Sequence, residues 1–177
     1  MIQNERDCRH EHVLDVARQM LTVARTAPKG KGIDVIEAAL VTGEDIKKLS
    51  EKMVAMVEEH GMKFFLRDAD NILQAECVII IGTREQTQGL NCGHCGFPTC
   101  AGRPEGVPCA LNTVDVRDSC RFGLCHGCRF EGGYPCDVFC RTCRPAFGLA
   151  ERMQDSLCHS GECILQESVL RPETEGR

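Results

Sequence analysis

At 177 residues the chain is long enough for one domain with a real hydrophobic core and a tail. A formal charge of -5 and a pI near 5.7 leave no basic footprint. Nucleic acid and anionic membrane are therefore unexpected partners, and small molecules or other proteins are expected instead.

The N-terminus is charged from residue 5 and lacks the apolar core of a signal peptide, and no run approaches a membrane span. A cytoplasmic location is expected. In that reducing compartment the fourteen cysteines favour metal or iron–sulfur chemistry over disulfides, wherever their spacing is ligand-like.

In chain order, Val13, Leu14, Ala17, Met20, Leu21 and Ala24 recur at helical spacing, and Pro28, Gly30 and Gly32 end that helix. Ile33 to Val41 is either a strand or a short helix, and its β-branched start with the Thr42-Gly43 stop favours strand. "GEDIKKLSEKMVAMVEEHG" carries Ile46, Leu49, Met53 and Met56 on one face, with Gly61 as its C-cap. "CVIIIG", Cys77 to Gly82, is an uninterrupted apolar run, as expected of a strand covered on both faces. The order predicts an α/β fold with an αβα-layered N-terminal part, followed by a Cys-rich loop and an irregular or disordered tail. Met20, Met53 and Met56 are expected in the core, and Cys77 as an inert buried thiol; Cys8 stands apart.

The chemistry concentrates in "NCGHCGFPTCAGRPEGVPC". Cys92, Cys95 and Cys100 have the spacing CxxCxxxxC, and Cys109 follows after eight residues. Four thiolates are what a [4Fe–4S] cube needs, one per iron. Gly93 and Gly96 allow the backbone to turn inward and offer N–H groups to cluster sulfur. A four-cysteine zinc site is the alternative, although zinc loops more often pair two CxxC units. His94 is expected to be exposed rather than a ligand. No catalytic residues are assigned: there is no Ser/His/Asp or Cys/His set, no GxGxxG and no Walker loop.

At these residues the chain resembles a family of uncharacterised prokaryotic ferredoxin-domain proteins, an α/β segment followed by a CGxCGxxxC loop. The similarity runs from about residue 12 to 115, through "ARTAPKGKGID", "TGEDIKKLSEKM", "FFLRDADNI", "VIIIGTRE", "LNCGHCGFPTC" and "RPEGVPCALNTVD". It implies a [4Fe–4S] cluster on Cys92, Cys95, Cys100 and Cys109, and no established reaction. The partner would be a redox protein or a small-molecule electron donor or acceptor. A weaker similarity, through Arg25, Ala27 and Pro28, is to flavin-dependent nitroreductases. There a flavin phosphate would meet Lys29 and Lys31, which otherwise belong to a solvated loop.

Three segments are expected: a scaffold over 1–90, a cluster-binding segment over 91–115 and a Cys/Arg-rich tail over 116–177. Residues 1–115 carry six Lys and six Cys; residues 116–177 carry no Lys, eight Arg and eight Cys. The family that the chain resembles continues past "CALNTVD" with an Ala/Gly-rich helical segment. A cysteine codon read one base later always gives Ala or Val, and in that frame Asp118 to Gly123 permits Ile-Ala-Val-Gly-Ser-Ala. Residues from about Val116 are therefore expected to be an out-of-frame translation. The alternative is a second metal module on Cys125, Cys128, Cys140 and Cys143, a CxxC pair of zinc-ribbon type. Cys120, Cys136, Cys158 and Cys163 fit no ligand scheme.

Overall fold

The computed structural model describes residues 2–61, 63–130, 137–143 and 162–169. The first helix, α1 (Glu5–Thr26), begins well before the apolar periodicity that announces it. Its start is set by capping rather than by a buried stripe. The Asn4 side chain accepts the Arg6 N–H, Glu5 and Asp7 stand in the first turn, and Arg9 pairs with Glu5. A single 3₁₀ turn over Gly30–Gly32 then leads to β1 (Ile36–Thr42), so the stretch that sequence left between strand and helix is a strand.

Helix α2 (Glu44–His60) closes on Gly61, whose φ of 69° is left-handed and whose N–H reaches the Val57 carbonyl at 2.9 Å. Helix α3 (Phe64–Ile72) was not predicted. Nine residues give periodicity little room, yet Phe65, Asp68, Ala69 and Ile72 form one buried face. Strand β2 (Cys77–Thr83) follows and pairs antiparallel with β1, Ile36 opposite Thr83 and Thr42 opposite Cys77. Its other edge pairs antiparallel with β4 (Glu162–Val169), which pairs in turn with β3 (Asp137–Cys143), giving the order β1-β2-β4-β3.

The alternation of β2 divides the core. Val78 and Ile80 face α2 and α3, among Leu49, Met53, Met56, Phe65 and Ile72; Cys77, Ile79 and Ile81 face α1 and α4 (Ala110–Phe130), among Ala17, Met20, Ala24, Val116 and Cys120. This is the expected α/β layering, with helices on both faces of the sheet. The three core methionines and Cys77 are buried where sequence put them. Each large side chain buried here contributes about 1.5–3 kcal/mol.

Helix α4 lies close against α1. A Cβ at Gly123 would come within 3.1 Å of the Met20 carbonyl oxygen, and one at Gly127 within 2.8 Å of Met20 Sδ. The composition boundary at Val116 falls inside this helix. Of the segment 116–177, positions 116–130, 137–143 and 162–169 are described; Cys136, Cys158 and the end "RPETEGR" lie outside the described residues. Among the described residues no helix is long and apolar enough to cross a membrane.

Candidate functional site

The segment between the end of β2 and the start of α4 holds all four cysteines of the predicted cluster motif. It leaves the sheet under control. The Arg84 N–H continues the ladder to the Val35 carbonyl at 2.9 Å, after which Gln88 is buried and its amide donates to Asn112 Oδ1 at 2.9 Å. Asn112 Nδ2 donates back to the Gln86 carbonyl at 2.6 Å, so the loop is pinned to the first turn of α4.

The cysteine loop then turns through left-handed backbone. Asn91 has φ 49°, Gly93 φ 73° and Gly96 φ 87°, and the Gly96 N–H closes a turn on the Gly93 carbonyl at 2.9 Å. Glycine adopts this region without steric cost, and asparagine is among the few side chains that tolerate it. Asn91 also ties the loop shut, donating its N–H to Cys100 Sγ at 3.4 Å and accepting the Cys100 N–H on Oδ1 at 2.8 Å. Thr99 caps the short turn that carries Cys100.

Cys92 is exposed, and Cys95, Cys100 and Cys109 are half-buried. Cys109 stands at the start of α4, where its carbonyl accepts the Thr113 N–H at 3.1 Å. Burial alone would push its thiol up. That push is outweighed by the backbone N–H groups of Gln88, Asn112 and Leu111 and by the charge of Arg103, which together hold the thiol below its usual range. Cys109 also lines a shallow cleft with Arg84, Glu85, Arg103, Gly106 and Asn112. Within it, Arg103 Nε and Nη1 are buried and lack hydrogen-bond partners.

An uncharacterised protein of Archaeoglobus fulgidus is 42% identical over 126 residues, covering 66% of this chain and 68% of that one. The chain belongs to the family of that protein. No family model matches it. A nitroreductase-like family protein from Bacillus cereus superposes with a TM-score of 0.47 at 18% identity, over 92% of this chain and 79% of that one, too loose a match to carry functional weight.

In this member of the family the four thiols share one segment, but they do not converge. Among the described residues no three His, Cys, Asp or Glu side chains form a group that could hold a metal ion. The local contacts of the four differ. Cys100 is held by Asn91, Cys109 is met by backbone N–H groups, Cys92 is exposed and Cys95 is half-buried. Of the second module, Cys125 is exposed on α4; Cys128 falls in α4 and Cys140 and Cys143 in β3, and their side chains lie outside the described residues.

His94 is exposed, as expected, with Nδ1 3.2 Å from the Cys92 carbonyl. The two lysines considered for a flavin phosphate have backbone partners. Lys29 Nζ donates to the carbonyls of Arg25 and Ala27, and Lys31 Nζ reaches the Gln88 carbonyl at 3.4 Å. Arg25 donates to Asp34 and to the Ile36 carbonyl. Sequence reasoning missed Asn91, Gln88, Arg103 and Asn112. Only the Asn-Cys-Gly order of the first hinted at a left-handed position.

Proposed function

We propose that the protein is a one-electron redox carrier of the ferredoxin-domain type, holding a [4Fe–4S] cluster on Cys92, Cys95, Cys100 and Cys109. The observation that carries this reading is the run of left-handed residues Asn91, Gly93 and Gly96 around Cys92 and Cys95. Successive left-handed residues of that kind can turn backbone N–H groups toward an anionic group, which is what a cluster's sulfur would need.

The sequence spacing favours a cube over a single zinc ion, since zinc loops more often pair two CxxC units. Four zinc ligands must meet at one tetrahedral centre, whereas a cube takes one thiolate at each of four separated irons. When bound, the cluster supplies reversible one-electron chemistry. The chain's own residues bind it and orient it: Asn91 fixes Cys100, and the N-terminus of α4 favours Cys109 as thiolate. The expected partner is a redox protein or a small-molecule electron donor or acceptor.

Anaerobic purification with iron and sulfide tests this. A brown protein with a broad band near ~400 nm and four iron and four sulfide per chain supports it. Colourless protein containing zinc overturns it. Single Cys→Ser variants at the four positions should each lose the band.

A second reading is a reductase in which the cluster relays electrons to a flavin. What favours it is the position of the Gly30 loop, whose N–H is held by Asp115 in α4, within two turns of Cys109. A flavin seated on that loop would neighbour the cluster segment. A yellow cofactor that co-purifies and is released on denaturation would raise this reading above a carrier alone.

A further inference from the structure

Strand β1 is an outer strand of the sheet, and among the described residues β2 is its one neighbour. Which of its backbone groups face the open side follows from a single bond. Arg84 donates its N–H to the Val35 carbonyl at 2.9 Å, and these two residues stand opposite each other in the register that pairs Ile36 with Thr83. Bonded and non-bonded pairs alternate along an antiparallel ladder, so Glu37, Ala39 and Val41 bond to β2, while Ile36, Ala38, Leu40 and Thr42 turn N–H and C=O outward. The first outward residue is closed by side chains: the Ile36 N–H donates to Asp34 Oδ1 at 3.0 Å, and its carbonyl accepts from Arg25. Among the described residues no side chain closes Ala38, Leu40 or Thr42 in this way, and all of them are half-buried where most of β2 is fully buried. Exposed edges are ordinarily blunted by lysine, proline or a bulge. Strand β1 has no lysine or proline, and its one charged side chain, Glu37, is taken up by Arg84.

We propose that β1 is a self-association edge, pairing antiparallel with β1 of a second copy of this chain about a two-fold axis at Leu40. The closed end sets the register. Ile36 has its donor and acceptor taken, so the pairing that uses every open group puts Leu40 opposite Leu40, and Ala38 opposite Thr42 of the second copy. The open segment is thus its own complement. In the same register Ala39 stands opposite Val41 in a non-bonded pair, where Cα atoms approach to about 4.5 Å and a small side chain fits. The faces match as well. Ile36, Ala38 and Leu40 lie on the α1 and α4 side and Val41 on the α2 and α3 side, so the joined sheets keep both apolar faces continuous beneath their own helices. Charge is complementary across the contact. Glu37 falls opposite Gly43 rather than a carboxylate, and Ile36 falls opposite Glu44, which brings Arg25 to the acidic first turn of α2, Glu44 and Asp45. The contact involves none of the four cysteines of the loop.

The test uses the full chain under reducing conditions, which keep its cysteines from cross-linking copies. Sedimentation equilibrium should show a dimer whose share rises with concentration. As it forms, amide exchange at Ala38, Leu40 and Thr42 should slow several-fold, while exchange at Ile36, closed by Asp34, should not change. Ala38→Pro removes an outward N–H and no ladder bond to β2, and Ala39→Lys sets a charge at the middle of the edge. Both should weaken association several-fold. A wild-type chain that stays monomeric overturns the proposal and leaves the edge to a strand of some other protein. A dimer that both variants keep, or in which those three amides exchange as fast as in the monomer, overturns it too, because the copies then meet elsewhere. Should Ala38→Pro fail to fold by far-UV circular dichroism, Ala39→Lys decides by the same measurement, an unchanged Kd refuting the inference.

Discussion

Both carboxylate oxygens of Asp115 accept the backbone N–H of Gly30, at 2.8 and 3.0 Å, joining residues 85 positions apart. The bond fixes the loop after α1 to the first turns of α4, beside the cysteine segment. Asp115→Ala leaves that N–H without its acceptor and should cost about 1–3 kcal/mol of stability, measured by urea unfolding.

The same carboxylate predicts a pH trend. Burial pushes the Asp115 pKa above the ordinary 3.8; the Gly30 N–H and Lys29 pull it down only in part, and Asp118 and Asp34 add to the rise. The folded state thus binds this proton more tightly than the unfolded one. The stability this brings is complete below the ordinary value and is lost as pH rises through the folded pKa. Wild type should therefore lose stability relative to Asp115→Asn as pH rises above the ordinary carboxylate range. A gap that moves the opposite way would refute the assignment.

Ser119 is fully buried on α4, and its hydroxyl has no hydrogen-bond partner. An orphaned buried hydroxyl costs about 1–3 kcal/mol, and alanine is the better helix former. Ser119→Ala should stabilise the chain by about 1 kcal/mol in the same assay.

The contact of α4 with α1 separates two glycines. At Gly123 an added Cβ would meet the Met20 carbonyl oxygen at 3.1 Å and Ala24 Cβ at 3.4 Å, neither of which can turn away. Gly123→Val should cost about 1–3 kcal/mol. At Gly127 the obstacle is the Met20 thioether, which can change rotamer. There the helical gain of about 1 kcal/mol for Gly→Ala should leave Gly127→Ala close to neutral.

We infer further that the chain from about Val116 onward is an out-of-frame translation. The eight cysteines and the orphaned Ser119 hydroxyl support it, since the neighbouring frame permits alanine at 119 and valine at 120. The coding sequence is the check. Read one base later past codon 116, it should stay open and give an Ala/Gly-rich helix; an early stop codon there sinks the idea.

Much of the scaffold was legible in the chain itself. The β2 run and the stripe of Ile46, Leu49, Met53 and Met56 are long enough for their periods to speak, and burial followed those periods because apolar surface leaves water wherever it can. The four cysteines were legible because ligand chemistry is written in residue type and spacing. Helix α3 and the start of α1 were not, since one is too short for a period and the other depends on a cap. Only the tertiary structure decided that β1 and β2 run antiparallel, that Gly30 is anchored to Asp115, and that Arg103 lines one cleft with Cys109 with two shielded donors unmet. Those relations join residues far apart in sequence or depend on which atoms lose their water, and neither is encoded in any local pattern.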